Sequence, residues 1–378
     1  MASVSALQWS TCPSQRLRCQ RVVVDWPAVK FRSIVFDSVE PIRLVNGSPV
    51  LVDYRNYSDD GLGLNLVASL AVVERLDGTR LFAAGEITSL ANAQNNNICG
   101  MSAFAGDRGV VAEFVGGKTF RTFLSAPWSS PGSFQTLTRT VADLGFDPTQ
   151  SDVLDMGVDG SWIYMSFGAP TTAVALDLDH DSLVKATTKA NIGDPRTVSD
   201  GAIVALAGAG IALMRPDGSV TPLITPAGQK VIGALGVDRA AGQQIAWVEA
   251  NASGSGCSNA VLWTTPYATS ASGVTRRAVA VANDMLGRCG AGLVVNAGVV
   301  LTLIDLDKAQ VTRLSDGMGW VISAEAGDVF SQPLWVDDND VWLSTGPASD
   351  TSGGVSDYTG IFRIARAGLG SPTVPSGL

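Results

Sequence analysis

Apolar and polar positions alternate along most of this chain in short runs, which are separated by clusters of Gly, Asp, Asn and Pro. This period-two alternation predicts antiparallel β-strands joined by tight turns. The runs recur in a unit of about fifty residues, which indicates a repetitive all-β architecture. In the clearest unit we predict four strands, at residues 152–158, 161–167, 173–178 and 182–187.

Each unit contains two hairpins in a fixed order, and their turns locate the repeats. The turn of the first hairpin occurs seven times, at Gly47, Asp107, Gly160, Gly201, Ala241, Gly290 and Asn339. Second hairpins with related sequences occur at residues 73–80, 175–185, 213–220 and 303–313. A strand-rich repeat of this kind indicates a β-propeller or a β-solenoid, and we predict an all-β, seven-bladed β-propeller. Six blades are the alternative, because the first two spacings are long enough to contain an irregular unit.

The seventh unit lacks an outer strand. Its strands are predicted near residues 329–336, 341–345 and 359–365, and a Gly/Ser/Pro segment follows. An unpaired outer edge promotes aggregation, and a strand from the N-terminal part of the chain can pair with it and close the ring. The candidates for this strand are residues 21–24 and 31–36.

The repeat architecture resembles that of the seven-bladed β-propellers of the quinoprotein-like, NHL and TolB-like kind, over residues 20–366. The Gly-His and Trp-Asp pairs that mark WD40 repeats are absent from the sequence. The resemblance implies that two sets of connections gather on one face around a central channel, where such proteins usually bind ligands. These are the connections between second and third strands and those from an outer strand to the first strand of the next unit. The resemblance implies a location and no activity, because one fold supports many functions.

Composition agrees with one repeat domain and excludes some classes of function. Hydrophobic residues make up 46% and charged residues 16% of the 378 residues. We predict an N-terminal extension at 1–20, a single propeller domain at 21–366 and a flexible tail at 367–378. The net charge of −9 argues against nucleic acid as a partner, because binding phosphates requires clustered Lys and Arg. No apolar stretch reaches the roughly 20 residues that a membrane-spanning helix needs.

The N-terminal residues suggest export. We interpret Met1-Ala2 as a start placed on a mature chain after removal of an export signal, and expect a secreted, periplasmic or cell-surface protein. A lipid anchor on the precursor is compatible with this expectation. The segment Trp9-Ser-Thr-Cys-Pro, followed by Cys19, resembles the start of secreted bacterial peptidases of the tripeptidyl-aminopeptidase type. The Gly-x-Ser-x-Gly motif that those hydrolases need is absent, so this resemblance implies export only.

The five cysteines allow disulfides in an oxidising compartment. A disulfide between Cys12 and Cys19 would close the polar loop between them, and we favour it over two free thiols. Cys257 and Cys289 fall in neighbouring units, so a bridge between units is also open. Cys99 is then unpaired, and we interpret it as a small buried hydrophobic residue rather than a nucleophile.

The sequence argues against common catalytic centres. His180 is the only histidine, which excludes zinc sites built on several histidines and leaves Ser-His-Asp or Cys-His chemistry dependent on this one residue. The segment 177–181 starts like a calcium-binding EF-hand loop, but Ser182 and Thr188 stand where that loop needs Gly and Glu. We interpret it as a turn with His180 at its solvated tip, on the face away from the ligand-binding loops.

Oxygen-bearing side chains recur where the first strands of the units begin. Calcium takes about six to eight oxygen ligands, and a ring of inner strands could bring such groups together. A cation held there could polarise a phosphoryl or carbonyl oxygen. The candidate ligands are Asn97, Asp155, Asp194, Asn283, Asp284 and Asp328. The alternative is that these residues only end strands and cap turns, as Asp and Asn do in many β proteins.

Aromatic residues in or beside predicted loops form a competing candidate site. Tyr57, Trp128 and Tyr358 carry rings on which a sugar or a peptide could stack. The longest predicted connections between second and third strands are residues 55–61, 251–259 and 346–358. Other tryptophans fall on predicted strands and are expected in the core: Trp162, Trp247, Trp263, Trp335 and Trp342.

Two functions follow from these candidates. We favour an exported bacterial binding module that recognises a small molecule, peptide, protein or glycan on its loop face. The alternative is a calcium-dependent hydrolase of the lactonase, esterase or phosphotriesterase type, with its metal at the mouth of the channel. Calcium is the only cofactor that either hypothesis requires.

Overall fold

The structure is a computed structural model, and the part of the chain that it describes consists of β-strands, tight turns and two short 3-10 turns. The described residues are 8–11, 19–23, 33–45, 48–58, 66–75, 80–84, 97–105, 108–115, 120–127, 135–140, 152–157, 160–167, 172–187, 192–206, 210–226, 230–238, 243–253, 256–279, 293–305, 307–324, 328–347 and 360–373. Side chains are described mainly between residues 156 and 373, and at a few positions of the second sheet.

The described strands form seven antiparallel sheets. The chain begins with two strands that belong to the last sheet, β1 Gln8–Thr11 and β2 Cys19–Val23. Sheet one contains β3 Ser33–Val45, β4 Ser48–Ser58, β5 Leu66–Arg75 and β6 Arg80–Ala84. Sheet two contains β7 Asn97–Ala105, β8 Arg108–Val115, β9 Phe120–Pro127 and β10 Gln135–Thr140. Sheet three contains β11 Asp152–Met156, β12 Trp162–Phe167, β13 Thr172–Asp177 and β14 Ser182–Lys185.

The remaining sheets continue the same order. Sheet four contains β15 Ile192–Val198, β16 Gly201–Leu206, β17 Gly210–Met214 and β18 Val220–Ile224. Sheet five contains β19 Lys230–Asp238, β20 Gln244–Ser253, β21 Gly256–Pro266 and β22 Arg277–Val279. Sheet six contains β23 Leu293–Asn296, β24 Val299–Asp305, β25 Lys308–Arg313 and β26 Gly319–Ser323. Sheet seven contains β27 Asp328–Val336, β28 Asp340–Pro347 and β29 Gly360–Ala365, followed by β2 and β1.

Neighbouring sheets contact each other through their first strands, which we call inner strands. Contacts run from β3 to β7, β11, β15, β19, β23 and β27 in turn, and β27 contacts β3 again. The last sheet therefore lies against the first, and the ring is closed. The predicted all-β propeller is confirmed, with seven sheets among the described strands. Seven as the number of blades in the whole chain stays a prediction.

An N-terminal strand completes the last sheet, as the missing outer strand predicts. β2 pairs with β29 in antiparallel register, with Cys19 opposite Ile364 and Val22 opposite Ile361. The first of the two candidate segments is therefore the donor, whereas residues 31–36 lead into β3 of sheet one. β1 adds a fifth strand outside β2 that the sequence did not predict.

The strand assignment in sheet six was wrong. The first hairpin turns at Ala297 and Gly298 rather than at Gly290, and both residues have positive φ, 52° and 69°. As a result, residues 303–313 join the second and third strands, whereas the similar segment 175–185 joins a third strand to an outer strand. The shared Leu-x-Asp pattern suits any tight turn between two strands, so sequence similarity did not distinguish these positions.

Both faces of a sheet are covered by neighbouring sheets, which explains the high apolar content. All residues of β17 are buried. Its Ile211 and Leu213 pack with sheet five, whereas Ala212 and Met214 pack with sheet three. Burial of a large apolar side chain contributes about 1.5–3 kcal/mol. The inter-sheet layers are therefore the hydrophobic core of the ring.

Part of the predicted tail lies against sheet six. Arg366–Gly368 form a 3-10 turn after β29, and Thr373 makes an antiparallel bridge to Gly319 of sheet six. The flexibility predicted for residues 367–378 stays a prediction. Among the described residues, no helix has the length and apolarity needed to cross a membrane.

Candidate functional site

Strand direction gives the ring two faces. In sheets one to six the first and second strands, and the third and outer strands, are joined at the same end, which we call the turn face; sheet seven has the first of these two connections. The second and third strands are joined at the opposite end, the loop face, which includes the connections β4–β5, β20–β21 and β28–β29. Described turns of the turn face lie at residues 178–181, 199–200, 215–219, 267–276, 297–298, 314–318 and 337–339.

Asp177, at the end of β13, organises the turn that carries the only histidine. Its Oδ1 accepts the backbone N–H groups of Asp179 and His180 at 2.9 and 3.0 Å, and its Oδ2 lies 2.8 Å from His180 Nδ1. Burial raises the pKa of Asp177, but these hydrogen bonds together outweigh it and leave the pKa lowered. The bond to Asp177 raises the pKa of His180, whose side chain is 80% exposed. The solvated position predicted for His180 is confirmed.

Arginines from sheet two neutralise the other carboxylates of this turn. Arg108 Nη1 donates to Asp179 Oδ1 at 2.9 Å, and this bond holds the pKa of Asp179 below its usual value. Arg139 Nη2 donates to the carboxylate of Asp181 and, at 3.0 Å, to its backbone oxygen. Guanidinium groups thus occupy the surroundings that a calcium ion would need. The interpretation of residues 177–181 as a turn is confirmed.

Hydrogen bonds across sheet boundaries continue around the turn face. Each joins a residue in or beside a turn of one sheet to a group of the next sheet. Gln135 Nε2 donates to Leu178 O at 2.6 Å, Thr187 N to Gly218 O at 2.9 Å, Tyr267 Oη to Asp200 Oδ1, Gly298 N to Asp238 Oδ2 at 2.6 Å, and Asn296 Nδ2 to Val336 O at 2.8 Å. These bonds link sheets two to seven in succession, so polar groups of this face bind one another.

The predicted calcium ligands that fall on strands all lie on inner strands. Asn97 begins β7 and Asp328 begins β27, whereas Asp155 and Asp194 lie within β11 and β15. Because β11 contacts both β7 and β15, three of these positions belong to neighbouring inner strands. The side chains of Asn97, Asp155, Asp194 and Asp328 lie outside the described part of the structure. Residues 283–284 lie outside it entirely. Among the described side chains, no group of three or more His, Cys, Asp and Glu could hold a metal ion, and calcium stays a prediction.

Of the three residues predicted to form the aromatic site, Tyr57 is the one that lies among the described residues. Tyr57 lies in β4, opposite Ala68 of β5, near the loop-face end of sheet one. Its side chain, and all of Trp128 and Tyr358, lie outside the described residues. Of the tryptophans expected in the core, Trp247 and Trp342 are fully buried, whereas Trp162, Trp263 and Trp335 are partly exposed.

One of the predicted long loops is a strand hairpin. β20 ends at Ser253 and β21 begins at Gly256, and these two residues are paired in register. The prediction of a long loop at 251–259 is therefore wrong. Longer connections do occur between β4 and β5 and between β28 and β29, at residues 59–65 and 348–359. The connections of the loop face thus differ strongly in length from sheet to sheet.

An ion pair within sheet five, at its boundary with sheet four, was not predicted. Glu249 in β20 is 0% exposed and accepts hydrogen bonds from Arg276 Nη2 at 2.6 Å and Trp247 Nε1 at 3.0 Å. The guanidinium carbon of Arg276 lies 4.4 Å from the ring centre of Trp263. Arg276 Nη1 donates to Thr225 O of sheet four at 3.3 Å. One sequence feature could have indicated this pair: Glu249 follows Trp247 by two residues and therefore lies on the same face of the strand.

Three of the five cysteines lie on described strands. Cys19, Cys99 and Cys257 lie on β2, β7 and β21. Cys12 and Cys289 lie outside the described residues. Both predicted disulfides therefore stay predictions.

Comparison with solved structures shows the fold. The WD40 domain of Neurospora crassa Pan2 has a TM-score of 0.52 at 13% identity, over 97% of this chain and 96% of that chain. The β-propeller domain of the Trilobed protease from Pyrococcus furiosus has a TM-score of 0.50 at 12% identity, over 85% and 99%. A prolyl endopeptidase has a TM-score of 0.50 at 12% identity over 92% of this chain but 55% of its own, so this chain spans about half of that enzyme.

The Trilobed propeller has an open velcro topology, whereas in this chain β2 pairs with β29 inside the last sheet. No protein-family model and no curated protein sequence matches this chain. At identities this low, the similarity to solved structures shows a β-propeller and nothing finer.

Proposed function

We propose that this β-propeller is an exported bacterial binding module whose loop face recognises a peptide, protein or glycan. The hydrogen-bonded turn face is the observation that carries this proposal. Its charged groups bind each other across sheet boundaries, as Arg108 and Arg139 do with Asp179 and Asp181, and are less free to bind a ligand. The loop face carries connections of unequal length on a rigid ring, which is where binding sites usually develop.

Aromatic rings at this face supply the recognition chemistry of the proposal. Tyr57 and Tyr358 belong to or flank the loop-face connections β4–β5 and β28–β29. Trp128 falls between β9 and β10, the third and outer strands of sheet two, so its predicted place beside the other two is wrong. Sugar rings and peptide side chains stack on such rings, and the phenol groups add hydrogen bonds. A site of this kind needs neither a metal nor a catalytic base.

Binding screens followed by matched substitutions test the proposal. The full chain is screened on a glycan array and a peptide library, and the dissociation constant of the best ligand is measured. Tyr57→Ala and Tyr358→Ala should each weaken binding about tenfold, which corresponds to about 1.4 kcal/mol. His180→Ala on the turn face is the matched control and should bind normally. The proposal fails when His180→Ala weakens binding and the two tyrosine variants do not.

A calcium-dependent hydrolase of the lactonase, esterase or phosphotriesterase type is the second candidate function. The contact of β11 with β7 and β15 favours it, because Asn97, Asp155 and Asp194 belong to these strands. Calcium prefers the carboxylate and amide oxygens that these residues carry. The cation would activate water or polarise the bond to be cleaved.

Calcium titration separates the two candidates. If the hydrolase proposal is correct, calcium raises the melting temperature, and Asp194→Asn or Asp328→Asn abolishes both that shift and the turnover of a p-nitrophenyl ester or phosphotriester. Asp217→Asn, in an exposed turn of sheet four, is the matched control and should respond like the wild type. A melting temperature that calcium does not change, together with no chelator-sensitive turnover, rejects the hydrolase.

A further inference from the structure

The C-terminal residues 366–373, which we call the strap, run from the end of sheet seven to the outer strand of sheet six. β29 ends at Ala365, and the 3-10 turn Arg366–Gly368 follows. Thr373 and Gly319, the first residue of β26, then exchange two backbone hydrogen bonds of 2.8 and 2.9 Å. The strap therefore crosses the boundary between sheets seven and six at the outer strand.

The base of the strap is held by sheet seven. The backbone N–H of Arg366 donates to Asn339 O at 2.7 Å, and its Nη1 donates to Asp337 O at 2.6 Å. The same guanidinium lies 3.7 Å from Asp338 Oδ1. All three partners belong to the turn between β27 and β28, so the base is fixed to the sheet from which it emerges.

The tip of the strap, residues 369–373, has fewer and more exposed contacts. Among the described residues, three hydrogen bonds connect the tip to sheet six: the reciprocal pair with Gly319, and one of 3.0 Å from Trp320 Nε1 to Gly370 O. Leu369 packs against the apolar cluster between sheets six and seven, and it is only partly buried. No residue of the tip, all of which is described, is fully buried.

The strand beneath the tip is held more firmly. β26 pairs with β25 along its whole length, from Gly319 opposite Thr312 to Ser323 opposite Lys308. Its Ile322 is 1% exposed and belongs to the apolar cluster between sheets six and seven. Local opening is least costly where few apolar contacts are buried and hydrogen bonds are exposed. Opening of the tip should therefore cost much less free energy than opening of β26.

We propose that the strap is a clasp with a fixed base and a releasable tip: residues 369–373 leave the edge of β26 and return to it while the sheets stay folded. The docked tip covers the backbone of Gly319, and covering an outer strand is one way in which β proteins prevent unwanted strand pairing. The released tip uncovers this edge and frees the indole N–H of Trp320. The clasp lies at the outer strands and does not depend on the function proposed for the loop face.

Amide hydrogen exchange of the full chain, measured at increasing urea concentrations below the unfolding transition, tests the proposal. The Gly319 amide donates to Thr373 O and should be protected, but its exchange rate should hardly change with urea, because release of the tip exposes little surface. The Ile322 amide, which points inward to β25, should exchange at least about tenfold more slowly, and its rate should rise with urea. Equal urea dependence of the two amides, or an unprotected Gly319 amide, overturns the proposal.

Two variants separate release of the tip from loss of the fold. Deletion of residues 369–378 keeps the base and removes the tip, so Gly319 should exchange at least about fivefold faster while Ile322 is unchanged. Ser371→Ala, at an exposed position of the tip, is the matched control and should leave both rates unchanged. If the deletion also accelerates Ile322, Leu369→Ser replaces it with the same expected results. A Gly319 amide that exchanges at the wild-type rate without the tip contradicts the clasp.

Discussion

The guanidinium carbon of Arg276 lies 4.4 Å from the ring centre of Trp263, at the boundary between sheets four and five. The same guanidinium pairs with Glu249, whose carboxylate is 0% exposed, at 2.6 Å. Arg276→Ala leaves this carboxylate buried without a cation, so we expect the free energy of unfolding to fall by about 3 kcal/mol. Urea denaturation of the variant and the wild type measures this difference.

Two further variants separate the buried charge from lost packing. Glu249→Gln combined with Arg276→Met removes both charges and should recover part of the loss. Arg277→Ala removes an exposed side chain, which donates to Ser315 O at 2.5 Å, and should cost less than about 1 kcal/mol. An Arg276→Ala variant that is no less stable than Arg277→Ala would contradict the prediction.

Gly218 and Gly298 offer a matched pair for testing contact between sheets. Both have positive φ, 80° and 69°, so alanine at either position should cost about 1–2 kcal/mol in backbone strain. At Gly218 a Cβ atom would also lie 2.4 Å from Lys185 O of sheet three, whereas at Gly298 it would meet no atom within 4 Å. Gly218→Ala should therefore lower the melting temperature more than Gly298→Ala. Equal melting temperatures would show that sheets three and four do not meet at Gly218.

The contact between Asp177 and His180 predicts a pH dependence that one NMR signal can report. Because His180 is the only histidine and its pKa is raised by Asp177, Asp177→Asn should lower the pKa of the imidazole towards 6.5. A raised pKa in the folded state stabilises the protein below the unfolded pKa, and the effect is lost as pH rises through the folded pKa. His180→Ala should therefore destabilise the protein at pH 5 and have little effect at pH 9. An unchanged imidazole titration in Asp177→Asn would rule out this coupling.

Closure of the ring depends on β2, which lies between β1 and β29. Proline has no backbone N–H, so Val22→Pro removes a hydrogen bond from the interior of the last sheet and should lower the melting temperature strongly. Ser10→Pro, in the outer strand β1, should have a smaller effect because that strand pairs on one side among the described strands. Thermal unfolding followed by circular dichroism measures both. A larger effect at Ser10 would argue against closure by β2.

The register of β1 and β2 gives a sharper form of the disulfide prediction. Thr11 pairs with Gln20, and the next residues along each strand are Cys12 and Cys19. Continuation of this register by one residue would bring the two cysteines opposite each other, at a Cα separation of about 4.5–5.5 Å that a disulfide can span. Mass spectrometry of peptides from the unreduced protein should detect the bridge. Alkylation of both thiols without prior reduction would contradict it.

Local alternation of apolar and polar residues was sufficient to predict the strands of the two units for which spans were assigned. The predicted spans of sheet three and sheet seven agree with β11–β14 and β27–β29, because each strand is short and ends at a turn residue. The absent outer strand of the last unit also predicted that the N-terminal part of the chain would complete it. Two donor segments had equivalent patterns, however, and choosing between them required the pairing of β2 with β29.

Local patterns did not predict relationships that arise from contacts between distant residues. Residues 303–313 and 175–185 have similar turns, but they join different strands because their place in the ring depends on the pairing of whole sheets. Glu249 could be recognised as a charge on a buried strand, but its partner Arg276 comes from the connection between β21 and β22, and the strand pattern does not place that connection beside Glu249. Alternation specifies which side of a strand is apolar, since that depends on neighbours in sequence. The pairing of strands and the burial of charged side chains depend on which sheets contact each other. Packing around the whole ring decides those contacts.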